Sequence, residues 1–551
     1  MSKKILIIGG VAGGASAAAR LRRLDEDAQI IMLERDEYIS FANCGLPYHI
    51  GDVIGERGSL IVQTPAAMHH RFRIDVRTFS EATAVDTVHK TVTINSAEKG
   101  VYQESYDSLV LSPGAGPFVP NFPGNHSARA CTLRNLPDMD RIKDVVDSQS
   151  LKRAVVVGGG FVGLEMAENL RDKGVDVTIV EAAPHVMPPL DGDMSVILEK
   201  ELQDNGVHLV LGDGIKSIED KADCSVVETA SGKQLEAELI VLAIGVRPAT
   251  AFLKDSGIAL GPKGHIIVDD QMRTNAPDVY AVGDAVQVKD FVTGAETAVP
   301  LAGPANKQGR IAADVICGLD SHYKATQGTS ILKVFSLAAA CTGANERTLK
   351  AKGIAYRKAV AHPFAHASYY PGATQIDAKL LYDGQGRILG CQMVGKEGVD
   401  KRVDVVATVL RLGGTVEDLT ELELAYAPPF SAAKDPVNML GYIAQNDLNG
   451  TSHLVDWDYA LNRDPAATIL LDVRTPREFG LGHAEGALNI PVDELRERLS
   501  ELDPAKEIIE YCQVGLRGHV AYRILAQHGF RAVNVTGGWK TYAQTHFTPK
   551  A

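Results

Sequence analysis

Ala154-Val155-Val156-Val157-Gly158-Gly159-Gly160-Phe161-Val162-Gly163 is the stretch whose reading decides the fold. An apolar run of strand length meets three consecutive glycines, and a helix is predicted from Leu164. A second apolar run, Asp176–Val180, ends at Glu181. This is the strand, glycine turn, helix, strand and acid order of a dinucleotide-binding unit. The glycines let the backbone approach a pyrophosphate, and the helix N-terminus stabilises its charge. Gly158, Gly160, Phe161, Val162 and Gly163 are the candidate contacts, with Gly245 after a later strand. Glu181 lies about 20 residues on, where the motif places a ribose-binding acid. Its charge repels a 2′-phosphate, which favours NADH over NADPH, and His185 nearby is a counter-signal.

The same order opens the chain. Residues 4–8 (Lys-Ile-Leu-Ile-Ile) read as a buried parallel strand. Gly9-Gly10-Val11-Ala12-Gly13-Gly14 follows, then a helix through Ala15–Leu24 and a strand Ile30–Leu33 that ends at Glu34 and Arg35. Val11 stands where the middle glycine is expected, so a tight turn that binds nothing is the competing reading. Lys3, Lys4 and Ala17-Ala18-Ala19 superficially match a secretory signal. The strand-and-turn reading accounts for those residues and for Glu34 together. Two such units imply two dinucleotides.

At 551 residues the chain is too long for one core, so three or four domains are expected. A net charge of -13 argues against nucleic acid as a partner. No apolar run approaches the ~20 residues of a membrane span. Seven cysteines, an odd number without pairing pattern or CxxC, fit a reducing cytoplasm rather than disulfides or zinc knuckles. His69, His70 and His366 lack partners at ligand spacing, so no metal is expected.

Tyr106–Gly114 and Glu238–Pro248 read as strands ending in small residues, and Thr274-Asn275-Ala276-Pro277-Asp278-Val279-Tyr280-Ala281-Val282-Gly283-Asp284 follows. This segment resembles the TxxPxVYAxGD segment of the pyridine nucleotide–disulfide oxidoreductase family, a likeness that covers residues 1 to about 446. The resemblance implies that the first unit binds FAD and the second NAD(P)H. It gives Asp284 to the flavin ribityl chain, with Gly283 and Gly114 as further cofactor contacts. A helix cap is the other reading of Asp284.

Ser40-Phe41-Ala42-Asn43-Cys44-Gly45-Leu46-Pro47-Tyr48 carries one cysteine. A helix N-terminus there would lower its thiol pKa. Disulfide reductases of the family carry CxxxxC here, but His49 takes the second position, so no intramolecular partner exists. Cys44 would then work as a sulfenic acid or through a mixed disulfide with something small. A buried inert cysteine is the bland alternative. SFANCGLPY, His366-Ala367-Ser368-Tyr369-Tyr370-Pro371-Gly372 and Tyr426-Ala427-Pro428-Pro429-Phe430-Ser431 resemble the coenzyme A–disulfide reductase branch. That likeness implies a homodimer in which Tyr370, or Tyr369, and Tyr426 flank the other chain's Cys44 and donate a proton. It implies coenzyme A contacts from Ser16, Arg20, Arg23, Ser40, Asn43, Asn306 and Lys434, with Arg71 or Arg73. It also lets Glu165 order the nicotinamide. Solvated helix charge and interface packing are the other readings of these side chains.

After Asn446-Asp447-Leu448-Asn449-Gly450, a polar stretch read as linker, the sequence changes character. Thr468–Val473, His483–Pro491, Cys512-Gln513-Val514-Gly515-Leu516-Arg517, a helix from about His519 and Gly537-Gly538-Trp539 resemble a rhodanese domain. Successive loop N–H groups, a helix N-terminus and Arg517 would stabilise a Cys512 thiolate or persulfide.

The expected fold is α/β. Two Rossmann-like domains bind FAD (1–116 and 246–322) and NAD(P)H (117–245). An α+β dimerisation domain (323–446), a linker (447–454) and an α/β rhodanese domain (455–551) follow. The expected activity is NAD(P)H-dependent reduction of coenzyme A disulfide, coenzyme A persulfide or polysulfide through Cys44, with Cys512 handling sulfane sulfur. An NADH oxidase or peroxidase, and a sulfur-carrier or redox-sensing protein, are the alternatives.

Overall fold

The computed structural model describes residues 3–148 and 151–546. The chain forms two compact units, Met1–Ala183 with Val210–Thr326, and Pro184–Leu209 with Gln327–Ala551.

In the first unit, Lys4–Ile8 and Gln29–Leu33 each bury four of five residues. Strands this apolar belong inside a parallel sheet covered on both faces. The order is Val279–Ala281, Ser108–Leu111, Lys4–Ile8, Gln29–Leu33, Asp75–Arg77, all parallel. The edge strand comes from far down the chain, so this layer is discontinuous in sequence. A second parallel sheet holds Asp176–Glu181, Arg153–Val157, Leu239–Leu242 and Ala130–Cys131 in that order.

Several boundaries differ from the sequence reading. Both first helices begin three residues early, as Ala12–Leu24 and Phe161–Asp172. Glycines that read as turn hide the first helical turn. The Tyr106–Gly114 strand pairs only over Ser108–Leu111, because Pro113 lacks an N–H and Gly114 is left-handed (φ 67°). Glu238–Pro248 is two strands, Leu239–Leu242 and Val246–Pro248, broken at Gly245 (φ 127°).

The second unit contains an antiparallel sheet ordered Ser330–Val334, Leu337–Gly343, Ile388–Gly395, Ile376–Tyr382, Arg357–Ala361. It also holds a parallel sheet ordered Leu454–Val455, Arg531–Val535, Glu507–Tyr511, Thr468–Asp472, Leu488–Asn489. The polar stretch at Asn446 does not open as linker. It closes the helix Pro436–Leu448, where buried Asp447 accepts from the Tyr382 hydroxyl (2.8 Å) and Arg357 (3.0 Å). Buried His362 joins the two sheets. Its ring meets Asp377 Oδ1 at 2.5 Å, Thr541 Oγ1 at 2.9 Å and the Gly537 carbonyl at 3.1 Å. Among the described residues, no helix is long and apolar enough to cross a membrane.

Candidate active site

Each glycine turn is pressed against the strand that crosses it. A Cβ on Gly9 (φ 96°) would lie 2.0 Å from the Ser112 carbonyl oxygen, and one on Gly158 (φ 111°) 2.3 Å from that of Ala243. The middle position is different. A Cβ on Gly160 would meet nothing within 4 Å, which explains why Val11 is tolerated at the matching place. The two acids also lock their turns. Glu34 accepts from the Gly10 N–H (2.9 Å) and the Asp36 N–H (3.1 Å). Glu181 accepts from the Gly159 N–H (2.6 Å) and the Ala183 N–H (2.7 Å).

The first turn opens on a cleft of about 390 Å³. Gly9, Val11, Ala12 and Gly13 line it with Glu34 and Arg35. Asn43, Cys44, Gly114, Gly283 and Asp284 close its other side. Burial pushes the Asp284 carboxyl above its ordinary range, against the pull of Arg134, whose Nη2 lies 3.6 Å away. Arg134 also accepts, through its carbonyl, from the Asn43 side-chain amide. No motif surrounds Arg134, so sequence reading missed it. Bare backbone at the glycines and a paired acid at the far end fit a dinucleotide such as FAD.

Cys44 sits in the 3₁₀ turn Asn43–Gly45, exposed, ahead of the short helix Leu46–Ile50. The expected lowering of its thiol pKa does not occur. Partial burial, then the carboxylates of Glu165 and Asp284, push it up, and Arg134 only opposes them. A five-residue helix is too short to outweigh two carboxylates. Tyr48, one helical turn after Cys44, donates to Glu165 Oε1 at 3.2 Å. Burial pushes Glu165 up to about 7. Glu165 is therefore no plain surface charge.

A second hollow, about 400 Å³, lies on the other side of the Cys44 segment. Helices Ala12–Leu24 and Ala302–Ile316 cross so closely that a Cβ on Gly309 would lie 2.3 Å from the Gly13 carbonyl oxygen. That crossing sets Ser16 against Asn306 (2.5 Å) and Arg20 against Asp314 (2.7 Å). Ser16, Arg20, Arg23, Ser40, Arg71 and Asn306 all line this one groove, with Arg310 and Phe72 added by the structure. Among the described residues, Arg23 and Arg71 have no acidic partner within 4.0 Å. Ser40 and Asn43 face different hollows, groove and cleft respectively, so Ser40–Cys44 is the wall between them. Its hydrogen bonds hold it in place: Ser40 (φ 45°) donates to the Gly10 carbonyl and accepts from the Val62 N–H.

In the second unit, the hydroxyls of exposed Tyr369 and Tyr426 meet at 3.0 Å. Tyr370 packs edge-on against His366 (5.6 Å). Buried Arg402 ties the two tyrosine segments together, donating to the Ala365 carbonyl (2.7 Å), Ser431 Oγ (3.1 Å) and Asp435 (3.1 Å). Lys434 is exposed beside that buried aspartate. His185, the counter-signal for NADPH, meets buried Glu199 at 3.1 Å. Asp191, Asp193 and Glu346 lie within metal-ligand reach of one another, but the Lys379 ammonium contacts all three.

Cys512 ends the strand Glu507–Tyr511, and the Gly515 N–H donates to its Sγ at 3.1 Å. The helix begins at Leu516, not His519, so its N-terminus adjoins the loop directly. Trp539 N–H holds the Cys512 carbonyl at 2.7 Å. Arg517 does not stand as a free cation for the sulfur. Both its terminal nitrogens bind Glu478, at 2.8 and 2.6 Å.

The pyridine nucleotide-disulphide oxidoreductase profile matches residues 3–309. The chain belongs to that family. The family's dimerisation domain matches residues 329–436 of this oxidoreductase, and a rhodanese-like domain matches residues 455–545. The oxidoreductase is 37% identical over 447 residues to a coenzyme A disulfide reductase of Staphylococcus haemolyticus, covering 81% of this chain and 100% of that one. The crystal structure of reduced Bacillus anthracis CoADR-RHD aligns at TM-score 0.97 and 48% identity, over 99% of this chain and 98% of that one. A NAD-dependent persulfide reductase from A. fulgidus aligns at 0.91 and 35%, over 99% and 100%. A water-forming NADH oxidase from Lactobacillus brevis aligns at 0.78 and 28%, over 82% and 100%. Family membership implies FAD and a pyridine nucleotide for this oxidoreductase, and the cleft fits that assignment.

Proposed function

We propose that this enzyme uses NADH to reduce coenzyme A disulfide and coenzyme A persulfide or polysulfide through Cys44, with Cys512 accepting sulfane sulfur. One observation carries the reading: Ser40–Cys44 separates a groove with unpaired arginines from a dinucleotide cleft that contains a single exposed thiol. The groove suits phosphates, and the thiol suits the sulfur end of the same ligand. The similar coenzyme A disulfide reductase and persulfide reductase support the same substrate class.

Bound in the cleft, FAD would supply the two electrons of a reduced nicotinamide to sulfur chemistry at Cys44. The protein's own groups do the rest. Ser16, Arg20, Arg23, Ser40, Arg71 and Asn306 hold the ligand's anionic end, with Asn43 and Lys434 as further contacts. Cys44 Sγ attacks the ligand's disulfide, forming a mixed disulfide and releasing one thiolate. Tyr426, paired with Tyr369, protonates the departing sulfur; Tyr370 is the alternate donor. In a homodimer these tyrosines would come from the partner subunit. Glu165 orders the nicotinamide and holds a proton with Tyr48. Glu34, Arg35, Gly114, Gly283 and Asp284 hold the flavin nucleotide. Gly158, Gly160, Phe161, Val162, Gly163, Glu181 and Gly245 hold the second nucleotide. Glu181 at its strand end supports NADH over NADPH. Seven free cysteines support a reducing compartment such as the cytoplasm.

The test is anaerobic NADH oxidation with coenzyme A disulfide, coenzyme A persulfide, polysulfide and peroxide, using wild type, Cys44→Ser and Cys512→Ser. Full activity of Cys44→Ser on every acceptor overturns the reading. Peroxide as the best acceptor would favour the oxidase or peroxidase alternative, which the Lactobacillus brevis likeness supports.

A further inference from the structure

Among the described residues, the cations that meet the Cys512 loop are paired with acids. Arg474, which donates to the Gln513 side chain (3.3 Å), is buried and doubly bonded to Asp472 at 2.6 and 3.0 Å. Arg517 is clasped by Glu478, and that bond holds the Glu478 carboxyl down at about 2. Lys540 caps the Gln513 carbonyl through its backbone, but its ammonium goes to Asp377 at 2.7 Å. Glu510, on the strand leading to Cys512, is fully buried, and burial drives its carboxyl well above the ordinary range. His519 is pushed the other way, first by burial and then by Arg523. Among the described residues, Arg474, Arg517 and Lys540, the cations that meet this loop, each have an acidic partner. The coenzyme groove in the first unit, with Arg23 and Arg71 unpaired, is built on the opposite principle.

The helix that follows the loop exposes apolar side chains. Leu516 is 68% exposed and Val520, one turn on along the same helix face, is 40% exposed. Leu481 ends the short helix that carries Glu478 and is 83% exposed. Cys512 itself is buried, and exposed leucines on the approach to it favour an uncharged shaft over a hydrated anion. A thiosulfate dianion would have to shed water for a site that offers N–H dipoles and no net charge.

We propose that Cys512 is selective for organic persulfides carried on an uncharged arm, such as the pantetheine end of a coenzyme, and excludes thiosulfate through the Arg517–Glu478 clasp. The proposal deepens the reading of Cys512 as a sulfane-sulfur acceptor and rests on it. In the step, Cys512 Sγ, as thiolate, attacks the outer sulfur of R–S–SH. A new Sγ–S bond forms and the old S–S bond breaks. Both electrons of that bond leave with R as its thiolate, and the transferred sulfur keeps its proton. No external oxidant or reductant enters.

The experiment uses full-length holoenzyme with Cys44→Ser, so that the flavin-linked thiol consumes no donor. Pantetheine persulfide, coenzyme A persulfide and thiosulfate are offered separately, and persulfide on Cys512 is followed by intact-protein mass. Both organic donors should load Cys512 faster than thiosulfate by about an order of magnitude or more. Glu478→Gln should free Arg517 and raise the thiosulfate rate, while leaving the organic donors little changed. Leu516→Asp should slow the organic donors by removing apolar surface, and should slow thiosulfate as well through its added negative charge. Equal loading by thiosulfate in the Cys44→Ser protein, or no thiosulfate gain on Glu478→Gln in a folded variant, overturns the selectivity alone. Failure of every donor to load Cys512 overturns the acceptor reading beneath it.

Discussion

Tyr48 donates to Glu165 at 3.2 Å from a position one helical turn beyond Cys44, linking the cysteine segment to the first helix of the second dinucleotide unit. Glu165 faces Tyr48, Glu168 and Cys44, while Cys44 faces Glu165, Asp284 and Arg134. A carboxyl that titrates near 7 beside the thiol makes its charge a variable of neutral pH.

Glu165→Gln should therefore shift the pH profile of Cys44 alkylation by iodoacetamide to lower pH, because a negative neighbour has gone. An unchanged profile would separate Glu165 from the thiol. Stability carries the same sign. Folding raises Glu165 from its ordinary 4.5 to about 7, so the stability it contributes is present below 4.5 and lost as pH rises through 7. Urea unfolding on either side of that window should show Glu165→Gln gaining on wild type at the higher pH.

Arg23→Ala and Arg71→Ala should each raise KM for coenzyme A disulfide by about tenfold, or ~1.4 kcal/mol, with kcat little changed. The effect should shrink with added salt, since both side chains are exposed. Steady-state kinetics at two ionic strengths checks this, with ferricyanide as an acceptor that needs no groove.

Tyr426→Phe and Tyr369→Phe should each lower turnover with coenzyme A disulfide by on the order of 10²-fold, the scale of one lost proton donor. Tyr370→Phe should stay near wild type, because that ring packs on His366 rather than joining the hydroxyl pair. Ferricyanide reduction should survive in all three.

Gly158→Ala should destabilise the chain by roughly 1–3 kcal/mol or more, from a left-handed backbone and a Cβ driven into the Ala243 carbonyl. Gly160→Ala should be well tolerated, as its Cβ meets open space. Thermal unfolding of the two variants would decide the contrast.

The sequence was most readable where backbone geometry admits few residues. Gly9, Gly158, Glu34 and Glu181 are forced by a crossing strand and by N–H groups that need an acceptor, so their spacing alone announces the turns. The groove residues were legible through family likeness, since nothing in the spacing of Ser16 and Asn306 brings them together; the helix crossing at Gly13 and Gly309 does. Arg134, Arg402 and Glu478 were not legible. Each works through a partner distant in the chain, and a lone charge carries no periodic signal. Cys44's thiol was misjudged for the same reason: the helix behind it is visible in sequence, but the carboxylates facing it are not.

The strip Ser40–Cys44 gives the enzyme a ruler. Four residue steps span at most about 14 Å when extended. If the proposed ligand is gripped by its phosphates at Ser40, it must carry its sulfur past this strip, which the left-handed Ser40 and the Asn43–Gly45 turn keep shorter than that limit, to meet the thiol. On that reading, short disulfides would reach either the grip or the sulfur but not both. Reach, as much as charge, then sorts one low-molecular-weight thiol from another, and lengthening or shortening this five-residue wall should retune which thiol is the right size.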